Sequence, residues 1–162
     1  MKHNLRNSLK RVTSLACAKK YAEAWQLLES LRSENAQDEA LIWQERGFVY
    51  SHANNNDAAI SALSKSIELF NKEPNPYYTR GIIFLQSADY ESAISDFTRV
   101  IELCDFYNSD YYRQSAYFLR ADCFVRLKQY DKAKSDCSHV CDGHRSWTDR
   151  LRTKEEILAE CK

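Results

Sequence analysis

The sequence has few of the residues that make tight turns, with only three glycines and two prolines. Proteins built from many short strands need such residues at their turns, so a sandwich or barrel is excluded and helices with short links are favoured. The net charge is zero, since 23 basic residues balance 23 acidic ones. A neutral chain has no general electrostatic attraction to nucleic acid or to an anionic membrane.

Long apolar runs are missing as well. The most apolar stretch, "GIIFL" at residues 81–85, is far shorter than the roughly 18 residues that a membrane-spanning helix needs. Apolar residues make up 44% and charged residues 28% of 162 residues, which indicates one ordinary folded domain. The six cysteines are scattered through helical patterns without the spacing of a disulfide framework. They predict free thiols and a cytoplasmic location.

The N-terminal segment, residues 1–21, contains no acidic residue and six lysines or arginines. This composition fits a transit peptide, and "SLAC" resembles a lipoprotein cleavage site. However, Leu5, Leu9, Val12 and Ala16 follow helical spacing and lead directly into a repeated phrase. A first structural helix is therefore the favoured interpretation, with a targeting role as the alternative.

The repeated phrase is "ADYESAISDF", residues 88–97, which is echoed at residues 19–28, 54–63 and 128–137. An alanine occupies the sixth place of every copy, and a larger residue occupies the tenth. The four alanines, which are 35, 34 and 40 residues apart, are Ala24, Ala59, Ala93 and Ala133. Self-similarity at this period is typical of repeat proteins.

A second pattern precedes three of the copies: an aromatic residue, a small residue four places later and another aromatic three places after that. These triplets are Trp43, Gly47 and Tyr50, then Tyr77, Gly81 and Phe84, then Tyr117, Ala121 and Phe124. The spacing is one face of an α-helix. We therefore expect a helix A, a turn and a helix B in each unit, with the small residues where the two backbones cross closely.

Together the two patterns resemble the tetratricopeptide repeat (TPR). The first unit is degenerate, because Ser8 takes the aromatic place and Val12 the small place, and the second unit has Asn56 at the tyrosine place. The resemblance implies an all-α helical-hairpin solenoid, a right-handed superhelix, in a single domain over residues 1–162. Its repeats would span about 5–36, 40–73, 74–107 and 114–146.

Two segments depart from the regular repeat. The 40-residue step contains "CDFYNSDYYRQ", residues 104–114, which predicts a lengthened helix pair or a projecting, tyrosine-rich turn. After the last repeat, residues of about 148–161 predict a helix that begins at a Thr148 cap and has Trp147, Leu151 and Leu158 on one face. Such a helix would cover the apolar end of the stacked pairs.

The resemblance also implies where a partner binds, since places 2, 5, 9 and 12 of each unit line a concave groove that holds a peptide or helix of another protein. The residues at these places are Leu41, Gln44, Phe48, Ser51, Asn75, Tyr78, Ile82, Leu85, Ser115, Phe118, Asp122 and Val125. Most are apolar or aromatic, as expected of an interaction surface. In the alternative interpretation, the chain's own N-terminal helix or tail covers part of them.

The one candidate metal site is "CSHVCDGH", where Cys137, Cys141 and His144 have spacing that can suit zinc. A structural zinc needs four ligands, and Cys137 occupies the large apolar place of its repeat, so a packed thiol is favoured. No phosphate loop, HExxH or GxSxG motif occurs. The sequence therefore predicts no catalytic residue, no cofactor and no enzymatic activity.

These observations predict a protein–protein interaction module. Some TPR proteins clamp the C-terminal carboxylate of heat-shock chaperones with groove cations, but Gln44, Phe48, Thr79, Ser115 and Leu119 occupy the matching places and none is cationic. The alternatives are a small TPR chaperone of a bacterial secretion system, which the size and repeat number suit, and an RNA-binding or zinc-binding helical repeat protein.

Overall fold

A computed structural model describes the backbone of residues 2–147 and 151–162, and the side chains of residues 5–146 and 151–162. The predicted Thr148 cap lies outside the described residues. Eight helices come first in the chain: α1 Lys2–Cys17, α2 Tyr21–Ser30, α3 Ala36–His52, α4 Asn56–Leu69, α5 Pro74–Gln86, α6 Tyr90–Phe106, α7 Arg113–Arg126 and α8 Tyr130–Cys137. They form the four helix pairs that the repeat pattern predicts, so the all-α, helical-hairpin fold class is confirmed.

The chain divides into two compact units, residues 1–76 (unit 1) and residues 77–162 (unit 2). Unit 1 contains the pairs α1–α2 and α3–α4, and unit 2 contains α6, the pair α7–α8 and all of α5 except its first turn. The single domain over residues 1–162 stays a prediction. No helix in the described ranges has the length and apolar character needed to span a membrane.

The turns between paired helices share one backbone geometry. One residue in each turn has a positive φ of about 60°, and these residues are Lys19, Asn54, Ala88 and Lys128. Side chains of Asn35, Asn55 and Asp89 then cap α3, α4 and α6 by accepting a backbone N–H hydrogen bond. Because the turn after α1 matches the other three, the degenerate first pair has the turn geometry of a full repeat.

Small residues bring paired helices together as predicted. A Cβ atom on Gly47 would lie 2.6 Å from Cγ of Leu63 and 3.3 Å from the carbonyl oxygen of Ala59. A Cβ atom on Gly81 would lie 2.9 Å from Cε1 of Phe97. The close approach of α3 to α4 at Gly47 and Ala59 is therefore confirmed, and the residues at the tenth place fill the space beside it.

The core of unit 1 extends into the N-terminal helix. Leu9, Val12 and Ala16 of α1 are buried in a cluster with Ala24 and Leu28 of α2 and with two residues of α3, Ile42 and Val49. The apolar face of α1 thus has the structural role predicted from its spacing.

The C-terminal segment differs from its prediction. Strand β1 Arg145–Trp147 pairs with antiparallel β2 Leu151–Thr153, and helix α9 Lys154–Glu160 follows. The predicted helix over about 148–161 is thus corrected to a two-stranded ribbon and a shorter helix. The helix begins at Lys154 because Thr153 forms a capping box: its hydroxyl accepts from the Glu156 N–H, and the Glu156 carboxylate accepts from the Thr153 N–H.

Helix α9 contacts α7 and α8 and buries Ile157 completely. It therefore covers the last helix pair, as the amphipathic pattern predicts. The structure also accounts for the 40-residue spacing between the third and fourth repeats. Helix α6 has 17 residues, whereas α4 has 14, and a turn over residues 107–112 follows α6.

Candidate partner-binding surface

Paired helices of unit 2 are fixed by an arginine–aspartate clamp that recurs in two repeats. Arg80 donates from Nε and Nη2 to the two carboxylate oxygens of Asp96, both at 2.8 Å. Arg120 makes the same pair of 2.8 Å contacts with Asp136. Both carboxylates are nearly buried, with 5% and 6% of their side chains exposed. A two-point contact of this kind sets the orientation of helix A against helix B.

The aromatic residues of the repeat flank these arginines. The Arg80 guanidinium lies 6.0 Å from the ring centre of Tyr77 and 5.8 Å from that of Phe84. Arg120 has the equivalent position between Tyr117 and Phe124. The hydrogen bond to Asp96 raises the pKa of Arg80, so this arginine stays charged.

The clamp is not among the predictions made from the sequence, although the sequence contains a signal for it. An arginine stands immediately before the small place of helix A in all four repeats, at Arg11, Arg46, Arg80 and Arg120. Sixteen residues later the third and fourth repeats have an aspartate, whereas the second has Ala62. A recurrent arginine and aspartate at fixed places of a repeat would have predicted an ion pair.

The predicted groove residues of unit 1 that lie on α3 are Leu41, Gln44, Phe48 and Ser51, and all four are half-buried. Leu41 and Phe48 pack against the core cluster that α1, α2 and α3 form. The Phe48 ring also contacts the ring of His52, with centres 4.3 Å apart. Asn75 belongs to unit 1 through the first turn of α5 and is half-buried.

Glu45 lies beside these groove residues and joins α3 to α1. Its Oε2 accepts a hydrogen bond of 2.8 Å from the Thr13 hydroxyl. Burial raises the pKa of Glu45, and hydrogen bonds from Thr13 and Gln44 oppose this effect only in part. The folded state thus binds the Glu45 proton more tightly than the unfolded state does.

Glu45→Gln is expected to make the protein more stable than wild type at neutral pH. Wild-type stability falls as pH rises from the ordinary glutamate value of 4.5 through the raised pKa, because ionisation of the buried carboxyl disfavours the folded state. Glutamine keeps an acceptor for Thr13 without this cost. Urea unfolding should show the gain at pH 7 and its disappearance below pH 4.5. Glu29→Gln, on the exposed side of α2, should change nothing, and a destabilised Glu45→Gln at pH 7 would contradict the expectation.

In unit 2, three predicted groove residues are half-buried: Tyr78, Ile82 and Ser115. A side-chain hydrogen bond joins Tyr78 of α5 to Ser115 of α7. Burial raises the pKa of the Tyr78 hydroxyl, and the hydrogen bond from Ser115 lowers it in part. Leu85 is 6% exposed and belongs to the core. The structure therefore brings the groove faces of α5 and α7 together at the Tyr78–Ser115 contact.

The other groove residues of α7 are not available to a partner. Phe118 and Asp122 have no exposed surface, and Val125 is 7% exposed. The ring of His144 lies 5.1 Å from that of Phe118, and Arg152 of β2 forms an ion pair with Asp122. The expectation that all twelve residues line the groove is thus wrong for Leu85, Phe118, Asp122 and Val125, which are buried. At Phe118 and Asp122 the reason is that the C-terminal segment lies on this part of α7.

The proposed zinc ligands do not form a site. Cys137 is buried, Cys141 is exposed, and His144 packs against Phe118. Desolvation raises the pKa of Cys137 to about 11, which disfavours the thiolate that zinc requires. Burial also lowers the pKa of His144. Among the residues with described side chains, no group of three or more potential ligands could hold a metal ion.

An exposed aromatic cluster lies at the turn between α6 and α7. Phe106 and Tyr111 are 80% and 81% exposed, and Tyr107 is 49% exposed. Ring contacts of 4.9 Å join Phe106 to Tyr107, and contacts of 4.6 Å join Tyr111 to Tyr112. We call these four residues the aromatic turn. It is the projecting, tyrosine-rich segment predicted from the 40-residue step.

Comparison with known families identifies the repeat. The family model of the tetratricopeptide repeat matches residues 40–73, 74–106 and 114–142, more than half of the chain. This chain belongs to the tetratricopeptide repeat family. The matched ranges agree with the second, third and fourth predicted repeats, whereas the first, about 5–36, has no match and rests on the helix pair and turn described above.

Solved TPR structures share the fold at low sequence identity. The structure of MamA has 18% identity over 84% of this chain and 70% of that chain, with a TM-score of 0.67. A second MamA structure covers 84% and 75% of the two chains at a TM-score of 0.68, also with 18% identity. The Arabidopsis OM64 TPR domain has 20% identity over 65% of this chain and 82% of that domain, with a TM-score of 0.57. No curated protein matches the chain.

Proposed function

We propose that this TPR protein is a non-enzymatic adaptor that binds a peptide or helix of a partner protein on the groove faces of its A helices. The observation that supports this most is the half-exposure of Leu41 and Phe48 in unit 1 and of Tyr78 and Ile82 in unit 2. Apolar side chains that remain accessible at the ligand-facing places of a repeat favour contact with another protein. TPR membership supports the general role of a protein-interaction module.

Partner capture tests this proposal directly. The double variant Phe48→Glu/Ile82→Glu should lose one specific protein that the wild type retains from an extract of the native host, because each glutamate puts a charge into an apolar contact. Gln37→Glu/Gln86→Glu is the matched control, since it changes exposed places on the same two helices. Retention of the partner by a folded Phe48→Glu/Ile82→Glu protein would contradict groove binding.

Two further comparisons define the ligand. Phe106→Ser/Tyr111→Ser removes the two most exposed rings of the aromatic turn and substitutes none of the predicted groove residues, so partner loss in this variant alone would move the site to that turn. Binding that persists in high salt favours a protein ligand, whereas a steep fall favours RNA. A secreted protein as the captured partner would support the secretion-chaperone role.

All six cysteines are free thiols, which suits the cytoplasmic location that we include in the proposal.

A further inference from the structure

Asp122 occupies a predicted groove place, its carboxylate is completely buried, and one of its cations comes from outside the helix pair. Arg152 of β2, with 3% of its side chain exposed, donates to one carboxylate oxygen. Arg126, one turn along α7, lies 3.5 Å from the other. A buried carboxylate is tolerated only when it is paired. The tail, residues 144–162, thus supplies a guanidinium that this part of the groove requires.

Few of the tail's described side chains are both apolar and buried. Among its described residues, only Arg152, Ile157 and Cys161 are buried, and its two strands have three residues each. Its remaining anchors are partly exposed ion pairs, such as Lys154 with Asp142 at 2.7 Å, where the Asp142 side chain is 94% exposed. Segments with few buried apolar contacts open at lower free energy than the core.

The hydrogen bonding of the tail is also incomplete. The Nε atom of Arg152 and the Nε2 atom of His144 are buried without a hydrogen-bond partner. Buried polar atoms in native proteins are usually paired, so these two unpaired atoms weaken the attachment of the tail to α7.

We propose that Asp122 and Phe118 form an arginine-binding subsite of the groove, which the tail occupies in the free protein and an arginine-bearing partner segment occupies in the complex. This inference rests on the proposed function and names the chemistry of the partner. The ligand would present a guanidinium to Asp122, as Arg152 does in the tail. A cationic ligand also agrees with the absence of cations at the groove places that bind carboxylate tails in other TPR proteins.

Peptide binding in trans tests the subsite with a defined probe. The host is the full chain carrying Arg152→Ala, which removes the tail's guanidinium from Asp122 and leaves Arg126 beside it. The probe is a synthetic peptide of residues 144–162 with Cys161→Ser, and the matched peptide also carries Arg152→Ala. We expect the host to bind the arginine peptide at least about tenfold more tightly than the matched peptide, since a charged hydrogen bond is lost. Wild type should bind neither, and a folded host that binds both equally or neither would overturn the proposal.

A second host protein is needed in case the Arg152→Ala variant does not fold, because that substitution removes one cation from the buried Asp122 carboxylate. Thr153→Ala breaks the capping box of α9 and retains Arg152. Faster amide exchange over residues 154–160, together with binding of the arginine peptide that Asp122→Asn weakens about tenfold, would support the subsite. Faster exchange without binding, or unchanged exchange, would overturn it. Capture of the partner by the groove while both peptides fail would reject the subsite alone and leave the proposed function intact.

Discussion

Asp96→Ala is expected to destabilise unit 2 by about 3–5 kcal/mol, the usual cost of removing one partner from a buried ion pair. The substitution leaves Arg80, of which 19% is exposed, without its two hydrogen bonds between α5 and α6. Total stabilities of domains are about 5–15 kcal/mol, so the loss is a large fraction. Urea unfolding followed by circular dichroism measures it.

The second repeat provides the matched control for this clamp. Arg46 has Ala62 where the third and fourth repeats have aspartate, and its guanidinium stacks on Trp43 at 4.5 Å. Arg46→Ala should therefore cost only about 0.5–1 kcal/mol, the value of an exposed cation–π contact. The double variant Arg80→Leu/Asp96→Ala should be more stable than Asp96→Ala, because no uncompensated charge remains. Equal losses in Asp96→Ala and Arg46→Ala would show that the clamp contributes nothing specific.

Gly47→Leu is expected to lower the free energy of unfolding by about 1–3 kcal/mol through overpacking. A new Cβ atom would lie 2.6 Å from Cγ of Leu63, a fully buried side chain, and 3.3 Å from the backbone of Ala59. The clash outweighs the gain of about 1 kcal/mol that leucine brings over glycine in a helix. Thermal unfolding should show a lower melting temperature.

A paired variant identifies the cause of this loss. Gly47→Leu/Leu63→Ala makes room at the crossing and should recover part of the stability, since the two residues compete for one space. Gln37→Leu, at an exposed place on α3, should leave the melting temperature nearly unchanged. If Gly47→Leu behaved like Gln37→Leu, close approach of α3 and α4 would not be required.

Most of the fold could be predicted because its determinants are local and repeated. The triplet Tyr77, Gly81 and Phe84 specifies one helix face, and Ala93 marks the facing helix at a fixed distance in sequence. Small residues allow close approach only between the two helices of one pair. Because the same pattern occurs three times at a constant spacing, it predicts the helix pair, its turn and the place where the helices cross. The α9 boundary was missed because the choice between Thr148 and Thr153 depends on a capping box in a segment outside the repeat.

The candidate site could be predicted only in part. Spacing places Tyr78, Ile82, Phe118 and Asp122 on the ligand-facing sides of A helices, but it does not determine which sides stay exposed. Ile82 is half-buried, whereas Phe118 and Asp122 are fully buried with His144 and Arg152 against them. Exposure depends on a segment about 30 residues away along the chain, whose docking follows from tertiary packing rather than from helical periodicity.

The sequence by itself determined the number of helix pairs, the close crossing at Gly47 and Ala59, and the TPR family, because short-range sterics repeat with the period of the chain. Only the tertiary structure showed that Arg152 pairs with Asp122 and that His144 packs on Phe118. A contact of this kind needs side chains of two separate elements, here α7 and the C-terminal segment, to approach within about 3 Å. The periodicity of apolar residues along one helix does not determine which other segment packs on that helix.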